Sequence, residues 1–277
     1  MKFAFTIQYD GSDFFGFQRQ KDFRSVQEEL EKAFEIILRQ KVTLHVAGRT
    51  DTGVHALGQV VHFRIENKDS MVHDLRRFIY AVNSILPKDV SLVYGKPVSN
   101  DFHARFSCKG RDYIYRILHT PYRMAFYEKK SFWIRKKLNI NLMRETSNYL
   151  LGEKDFAAFT KGAYFKNKEK TIRRIDKISI IEHGPFVDFY YSGSGFLHNM
   201  IRIVTGTLLM AGKEEIRPEA VKEILNNKER KDAGQTLPSY ALFFLNAFYD
   251  EYETPKELIP FYYDLEKIDK LDAVLKK

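Results

Sequence analysis

The hydrophobic and polar positions of this 277-residue chain follow two different periods, which predicts strands and helices in alternating order. In short runs the apolar residues recur at every second position or dominate the run, as is typical of strands. In longer runs they recur every three or four positions, as one buried face of a helix requires. The predicted strands are 3–9, 42–46, 59–65, 90–93, 112–118, 172–182, 186–191 and 241–248. The predicted helices are 25–40, 74–84, 141–151, 197–211 and 218–226.

Local signals support several of these boundaries. Ser25 precedes the first helix and Glu28 follows three residues later, which is the spacing of a capping box. Pro87 follows the second helix, and Gly152 follows the third. His183, Gly184 and Pro185 separate two strands, so we predict a hairpin there.

The order of elements repeats along the chain. The first half reads β-α-β-β-α-β, which is the ferredoxin-like arrangement, and the second half repeats it less tidily, with two helices before its last strand. We therefore predict an α+β fold with two ferredoxin-like halves, residues 1–105 and 106–250, whose mixed and largely antiparallel sheets join around a central cleft. In the extension 251–277, apolar residues at helical spacing predict a short helix; they are Leu265, Ile268, Leu271 and Leu275.

The composition is that of a globular protein, with 29% charged and 44% hydrophobic residues. No apolar run approaches the ~20 residues that a membrane helix needs, so we expect no membrane association. Cys108 is the only cysteine, which excludes an internal disulfide and fits a reducing cytosol. We therefore expect a cytoplasmic protein.

Lys and Arg outnumber Asp and Glu by 45 to 36, which is compatible with nucleic-acid binding without proving it. Two basic clusters surround aromatic residues. Basic groups contact phosphates and aromatic rings stack on unpaired bases, but both clusters could instead be solvated loops with their rings in the core. The first cluster comprises Lys129, Lys130, Phe132, Trp133, Arg135, Lys136 and Lys137. The second comprises Lys161, Tyr164, Phe165, Lys166, Lys168, Lys170, Arg173 and Arg174.

Several kinds of site lack sequence support. The eight histidines show no H-x-x-x-H or H-E-x-x-H spacing, so no metal site is predicted. The chain has no Walker loop, no dinucleotide fingerprint and no G-x-S-x-G nucleophile elbow. We expect no cofactor.

Residues 47–56 read A-G-R-T-D-T-G-V-H-A, with Asp51 between two glycines and a predicted strand on either side. Gly48 and Gly53 give the backbone the freedom that a tight loop needs. A carboxylate on a rigid loop between strands is well placed for chemistry. The alternative is an ordinary turn, in which Asp, Thr and Gly are common.

This segment resembles the signature of the TruA family of tRNA pseudouridine synthases, and four further segments resemble that family in the expected order. The resemblance covers residues 3–249. Thr52 and Phe17 are departures, since the family more often has Ala and Trp there. The further segments are Y-D-G-S-D-F-F-G-F-Q-R-Q (9–20) with S-V-Q-E-E-L-E-K-A (25–33), D-F-H-A-R-F-S (101–107), R-D-Y-I-Y-R-I (111–117) and G-F-L-H-N-M-I-R-I-V-T-G (195–206).

The resemblance implies an isomerase that converts uridine to pseudouridine at positions 38, 39 and 40 of the tRNA anticodon stem-loop. It implies the pseudouridine synthase fold, a homodimer bound to tRNA and no cofactor, because the reaction is redox-neutral. Which tRNAs are modified, and which of the three uridines dominates, is left open.

By the same resemblance, Asp51 is the catalytic carboxylate, Tyr113 the active-site tyrosine and Arg202 the basic partner of Asp51. Asp51 could attack the nucleoside covalently or remove a ribose proton. Tyr113 could stack on uracil, with its hydroxyl taking part in proton transfer at C5. Strand alternation puts Tyr115 on the same face, so spacing alone does not choose between the two tyrosines.

Five residues are candidate RNA contacts. Arg49 could insert into the RNA or hold its phosphates, and His55 could contact RNA or fasten the loop. The other three candidates are Arg105, Lys166 and Arg173.

Two other functions compete with this one. The same β-α-β-β-α-β sheet can bind RNA without chemistry, which would make the chain a non-catalytic RNA-binding protein. A ribosomal-RNA modifier with the same chemistry is the other, and only the family resemblance argues against it.

Overall fold

The computed structural model describes residues 1–66, 72, 74–161 and 171–260. In this part of the chain, both halves contain the β-α-β-β-α-β order, and the second half has additional short strands and one more helix. The elements of the first half are β1 (Lys2–Tyr9), α1 (Val26–Leu38), β2 (His45–Val46), β3 (His55–Arg64), α2 (Leu75–Ile85) and β4 (Val90–Val98). Those of the second half are β5 (Gly110–His119), β6 (Phe132–Ile134), α3 (Ile140–Asn148), β7 (Gly152–Asp155), β8 (Ile172–His183), β9 (Phe186–Gly193), α4 (Met200–Gly212), α5 (Ala220–Asn227) and β10 (Leu242–Phe248).

The described strands form one mixed, mostly antiparallel sheet in the order β4-β1-β3-β10-β5-β9-β8-β7, with β2 paired to β3 and β6 to β5. Within each half the four principal strands lie in the order fourth, first, third, second, which is the ferredoxin-like order. The halves meet where β10 pairs with β3 in parallel, opposite His55 and Ala56. The α+β prediction is confirmed, whereas the division at residue 105 stays a prediction because the sheet runs on without a break.

The core of the first half is a group of phenylalanines between the sheet and its two helices. Phe34 of α1 lies 4.6 Å from Phe63 of β3 and 6.0 Å from Phe78 of α2, measured between ring centroids. Phe5 of β1 lies 5.5 Å from Phe63. This packing holds β1 and β3, and therefore the loop between β2 and β3, in fixed positions.

Most predicted elements are confirmed with small shifts of their ends. Ser25 is the N-cap of α1 and accepts a hydrogen bond from the Glu28 amide, as the capping signal indicated. The hairpin of β8 and β9 is also confirmed. Two short strands, β6 and β7, were not predicted, because runs of three and four residues carry too little pattern.

Two of the predicted boundaries that were wrong have a clear physical cause. The strand predicted over 42–46 is reduced to β2, because the Leu44 amide donates to the carboxylate of Glu31, 3.1 Å away, instead of to a strand. The helix predicted from residue 197 begins at Met200, because Asn199 adopts a left-handed backbone with φ 61°.

The described part of the C-terminal extension packs on the first half. The hydroxyls of Tyr252 and Thr254 lie 2.8 and 2.6 Å from that of Thr6 on β1. Residues 251–260 contain only a short 3-10 turn, Lys256–Leu258. The residues on which that prediction depended, from Leu265 to Leu275, lie outside the described residues. Across the described ranges, no helix has the length and apolar character needed to cross a membrane.

Candidate active site

The loop of residues 47–54 joins β2 to β3 and carries Asp51 at its tip. The Val54 amide donates to the Asp51 carbonyl at 3.1 Å, which closes a turn beneath the carboxylate. Gly53 adopts φ 79°, a conformation that glycine reaches without steric cost. The Thr50 carbonyl accepts from the Phe17 amide at 3.1 Å, and the Thr50 hydroxyl lies 2.7 Å from that of Tyr9. The loop is therefore fastened to β1 and to the segment after it.

Two side chains flank the Asp51 carboxylate, one at each oxygen. Arg202 Nη1 lies 3.7 Å from Oδ2, and His198 Nε2 lies 3.5 Å from Oδ1. The Asp51 side chain is 36% exposed, so it remains open to a ligand. The structure thus brings together the carboxylate and the arginine that were predicted to pair, although 151 positions separate them in the chain.

Arg202 is held by main-chain and side-chain acceptors as well as by charge. Its Nε donates to the Leu237 carbonyl at 2.6 Å, and its Nη1 donates to Asn199 Oδ1 at 2.5 Å. Burial lowers the pKa of Arg202 from its ordinary value, and the negative charge of Asp51 opposes that shift. The guanidinium group stays charged at neutral pH and has a fixed direction.

Tyr113 lies on β5 beside the same carboxylate. Its ring packs edge-on against Phe196 and Phe244, with centroids 5.3 and 5.0 Å away, and the residue is 8% exposed. Burial raises the pKa of Tyr113 well above its ordinary value, and the Asp51 charge adds to that shift. Tyr115 is fully buried and donates to the Pro238 carbonyl at 2.9 Å. Of the two tyrosines, Tyr113 is therefore the one that faces the site.

Asp51 lies at the junction of two cavities. A cavity of about 770 Å³ is lined by Tyr113, Phe196 and several basic side chains, and one of about 550 Å³ by Arg202 and Lys161. Arg49, Asp51 and His198 line both. A carboxylate between two cationic cavities suits a polyanionic ligand that passes over it.

The predicted RNA contacts have different surroundings. Arg49 and Arg105 are exposed and Arg173 is half-buried, and all three line the larger cavity. Lys166 lies outside the described residues, as does most of the second basic cluster. In the first basic cluster, Trp133 is partly exposed and donates to the Thr120 carbonyl at 3.0 Å.

His55 is positioned differently from the other RNA-contact candidates, because it is 2% exposed. Its Nδ1 accepts from the Gly11 amide at 3.0 Å, and its Nε2 lies 2.8 and 2.9 Å from the carbonyls of Lys129 and Tyr240. This geometry does not support direct RNA contact. The alternative, that His55 fastens the loop, accounts for all of these contacts.

Three residues at the site were missed from the sequence. Arg111 donates to the carbonyls of Ala47 and Ser194 and so ties β5 to the start of the Asp51 loop. His198 and Asn199 flank the carboxylate and Arg202. The available signal was their position, since both lie within one helical turn of Arg202 in the G-F-L-H-N-M-I-R segment.

The structure also brings together three histidines that are far apart in the sequence. His45, His62 and His103 offer ring nitrogens within 4.8 Å of one another at the edge of the larger cavity. The Ala104 amide donates to Nδ1 of His62, and the Arg105 amide donates to Nδ1 of His103. In neutral rings that accept at Nδ1, Nε2 carries the proton, so neither ring offers a metal a free lone pair. Burial lowers the pKa of His62 to about 3, which keeps that ring neutral.

Comparisons with known proteins point in one direction. The family model described as tRNA pseudouridine synthase matches residues 6–107 and 147–250. A protein of Leptospira biflexa named tRNA pseudouridine synthase A is 39% identical over 259 residues, which are 92% of this chain and 97% of that protein. Proteins with the same name from Aliivibrio fischeri and Ehrlichia canis are each 38% identical, over 92% and 90% of this chain and 96% and 100% of their own lengths.

Proposed function

Since the chain belongs to the tRNA pseudouridine synthase family, whose members are isomerases, we propose that it converts uridine to pseudouridine at positions 38, 39 and 40 of the tRNA anticodon stem-loop. The observation that carries the proposal is the Asp51 carboxylate, open to a ligand and flanked by Arg202 and His198 at the junction of two cationic cavities. A protein that only binds RNA has no use for an anion where the phosphates must pass.

The reaction exchanges one bond for another within the same nucleotide. The bond from N1 of uracil to C1′ of ribose breaks, the base turns in the site, and C5 bonds to C1′. The proton leaves C5 and N1 ends protonated, so atoms and electrons balance without a redox partner. Asp51 assists either by attacking the nucleoside or by removing a ribose proton.

Arg202 and Tyr113 have separate tasks in this proposal. Arg202 orients the Asp51 carboxylate, because the guanidinium group is itself fixed by hydrogen bonds to Leu237 and Asn199. Tyr113 offers a ring face to uracil and a hydroxyl for proton transfer at C5, and Phe196 and Phe244 hold that ring in place.

A uridine in a stem must leave its stack before it reaches Asp51. Unstacking costs a few kcal/mol, and contacts between cationic side chains and phosphates offset that cost. Arg49 lines both cavities beside Asp51, so we assign it to hold the extruded nucleotide. Arg105, Arg173 and Lys166 are the other proposed RNA contacts.

We further propose that the protein acts as a homodimer in the cytoplasm, with one tRNA bridging two subunits. The family resemblance supports the dimer, and the single unpaired cysteine, Cys108, fits a reducing compartment.

Pseudouridine mapping tests the proposal directly. Unmodified tRNA would be incubated with the wild type, with Asp51→Asn and with Asp13→Asn, and pseudouridine located by chemical labelling and primer extension. Asp13 is a suitable control because its side chain lies on a neighbouring turn and is 74% exposed. We expect product at positions 38–40 with the wild type and Asp13→Asn, and no product with Asp51→Asn, which keeps the shape and removes the charge.

Each other outcome contradicts a specific part of the proposal. Turnover by Asp51→Asn would remove Asp51 from catalysis, and product elsewhere in the tRNA would change the substrate position. Tight tRNA binding without product from the wild type would favour the non-catalytic alternative. Product only in ribosomal RNA would favour the other competing function.

A further inference from the structure

Asn199 is the residue immediately before α4, and its side chain does not cap the helix. At this position Asn normally accepts a hydrogen bond from an amide of the first turn. Here the Asn199 side chain makes no such bond, although its backbone carbonyl accepts from the Ile203 amide at 3.0 Å. The left-handed backbone, with φ 61° and ψ 4°, turns the side chain away from the helix end.

The side chain instead joins two neighbours. Its Oδ1 accepts from Arg202 Nη1 at 2.5 Å, and its Nδ2 lies 3.3 Å from His198 Nε2. The first contact determines how the amide is oriented, because a flipped amide would set Nδ2 against another donor. The Nδ1 of His198 lies 3.3 Å from the Lys161 carbonyl and donates to it, which leaves Nε2 to accept from Asn199.

The two atoms that Asn199 contacts are the same two atoms that flank the carboxylate. Arg202 Nη1 is also the atom 3.7 Å from Asp51 Oδ2, and His198 Nε2 is the atom 3.5 Å from Oδ1. One amide therefore links the side chains on both sides of Asp51. Because the amide is neutral, it does this without adding a charge that would compete for either partner.

We propose that Asn199 is a positioning residue for the isomerase, which fixes the Arg202 guanidinium group beside Oδ2 of Asp51. The inference rests on the proposed function, because it assigns Asn199 a role through the catalytic carboxylate. Displacing a reacting group by 1 Å can cost about 100-fold in rate. Asn199 acts by preventing such displacement, and tRNA affinity depends on other residues.

A glycine substitution separates this role from a purely conformational one. Asn is the commonest residue other than glycine in a left-handed backbone, so Asn199 could be needed for its backbone alone. Asn199→Gly keeps that conformation available and removes the amide. We expect kcat to fall by about 10- to 100-fold, with KM for tRNA changed by less than about 3-fold.

Arg39→Gly is the matched control. Arg39 is an exposed residue with φ 54° at the end of α1, and it lines neither cavity at the site. It undergoes the same change from a left-handed residue to glycine, and we expect wild-type kcat. Urea unfolding of both variants would establish that they are folded.

A double-mutant cycle with Arg202→Lys tests the route of the effect. If Asn199 acts through Arg202, then Asn199→Gly costs clearly less in the Arg202→Lys background than in the wild type. Wild-type kcat in Asn199→Gly, or equal losses in both backgrounds, would overturn the inference while leaving the proposed function intact. A wild type that makes no pseudouridine would overturn the proposed function, and this inference with it.

Discussion

The ring of Tyr113 lies between Phe196 and Phe244, in surroundings that raise the pKa of its hydroxyl well above the ordinary value. The hydroxyl is therefore protonated across the neutral range. A protonated phenol can donate or relay a proton, but it does not start as the base. This distinguishes the proposed task of Tyr113 from that of Asp51.

Replacing Tyr113 with Phe keeps the ring and removes only the hydroxyl. We expect Tyr113→Phe to bind tRNA within about 3-fold of the wild type and to lose about 100-fold or more in turnover, as removal of a proton-transfer group does. Single-turnover pseudouridine formation and a tRNA binding titration would measure the two effects. Full activity would limit Tyr113 to stacking. Tyr115→Phe serves as the control because Tyr115 lines neither cavity and its hydroxyl donates to the Pro238 carbonyl.

At the scale of the element, α4 determines where Arg202 lies. Nearly all of the helix is buried, and its Gly206 packs closely against Gly234 and Gln235. A Cβ added at Gly206 would lie 2.2 Å from the Gln235 carbonyl oxygen, far inside contact distance. Leu237 follows two residues after Gln235, and its carbonyl accepts a hydrogen bond from Arg202.

Gly206→Ala should therefore affect both stability and catalysis. The backbone of residues 234–237 must move, which we expect to cost about 1–3 kcal/mol of unfolding free energy and to weaken the hydrogen bond from Arg202 to Leu237. Urea unfolding and kcat would be measured beside Gly110→Ala, where the added Cβ meets only ordinary contacts at 3.5 Å. Unchanged stability in Gly206→Ala would mean that residues 234–237 can move without a cost in free energy of unfolding.

The whole molecule carries a formal charge of +9, and the basic side chains on the larger cavity include Arg49, Arg105, Arg111 and Arg173. Cations that contact phosphates release counterions when RNA binds, so affinity falls as salt rises. The net charge alone does not say where the RNA lies, but the loss of one contacting cation should change the salt dependence.

We expect Arg105→Ala to weaken tRNA binding and to lower the slope of log K against log salt by about 1. The measurement is a series of binding titrations between low and moderate salt. Arg39→Ala removes an equal charge from an exposed position outside both cavities, and its slope should match the wild type. Equal slopes for the wild type and Arg105→Ala would exclude Arg105 as a phosphate contact.

The sequence by itself determined the features that depend on neighbours along the chain. The strands β1 and β5, the cap at Ser25, and the hairpin of β8 and β9 all arise from local steric and hydrogen-bonding preferences, and all are present in the structure. The Asp51 loop could be singled out for the same reason, since its glycines and flanking strands are contiguous. The family resemblance then supplied Tyr113 and Arg202.

Only the tertiary structure decided how these segments meet. The pairing of β10 with both β3 and β5 brings the Asp51 loop beside Tyr113 and α4, and no local pattern encodes a contact across more than a hundred residues. The left-handed turn at Asn199, the burial of His55 and the grouping of His45, His62 and His103 follow from that packing. The arrangement of side chains around the Asp51 carboxylate depends on burial and on hydrogen bonds between segments that are distant in the chain. Local sequence patterns therefore do not determine it.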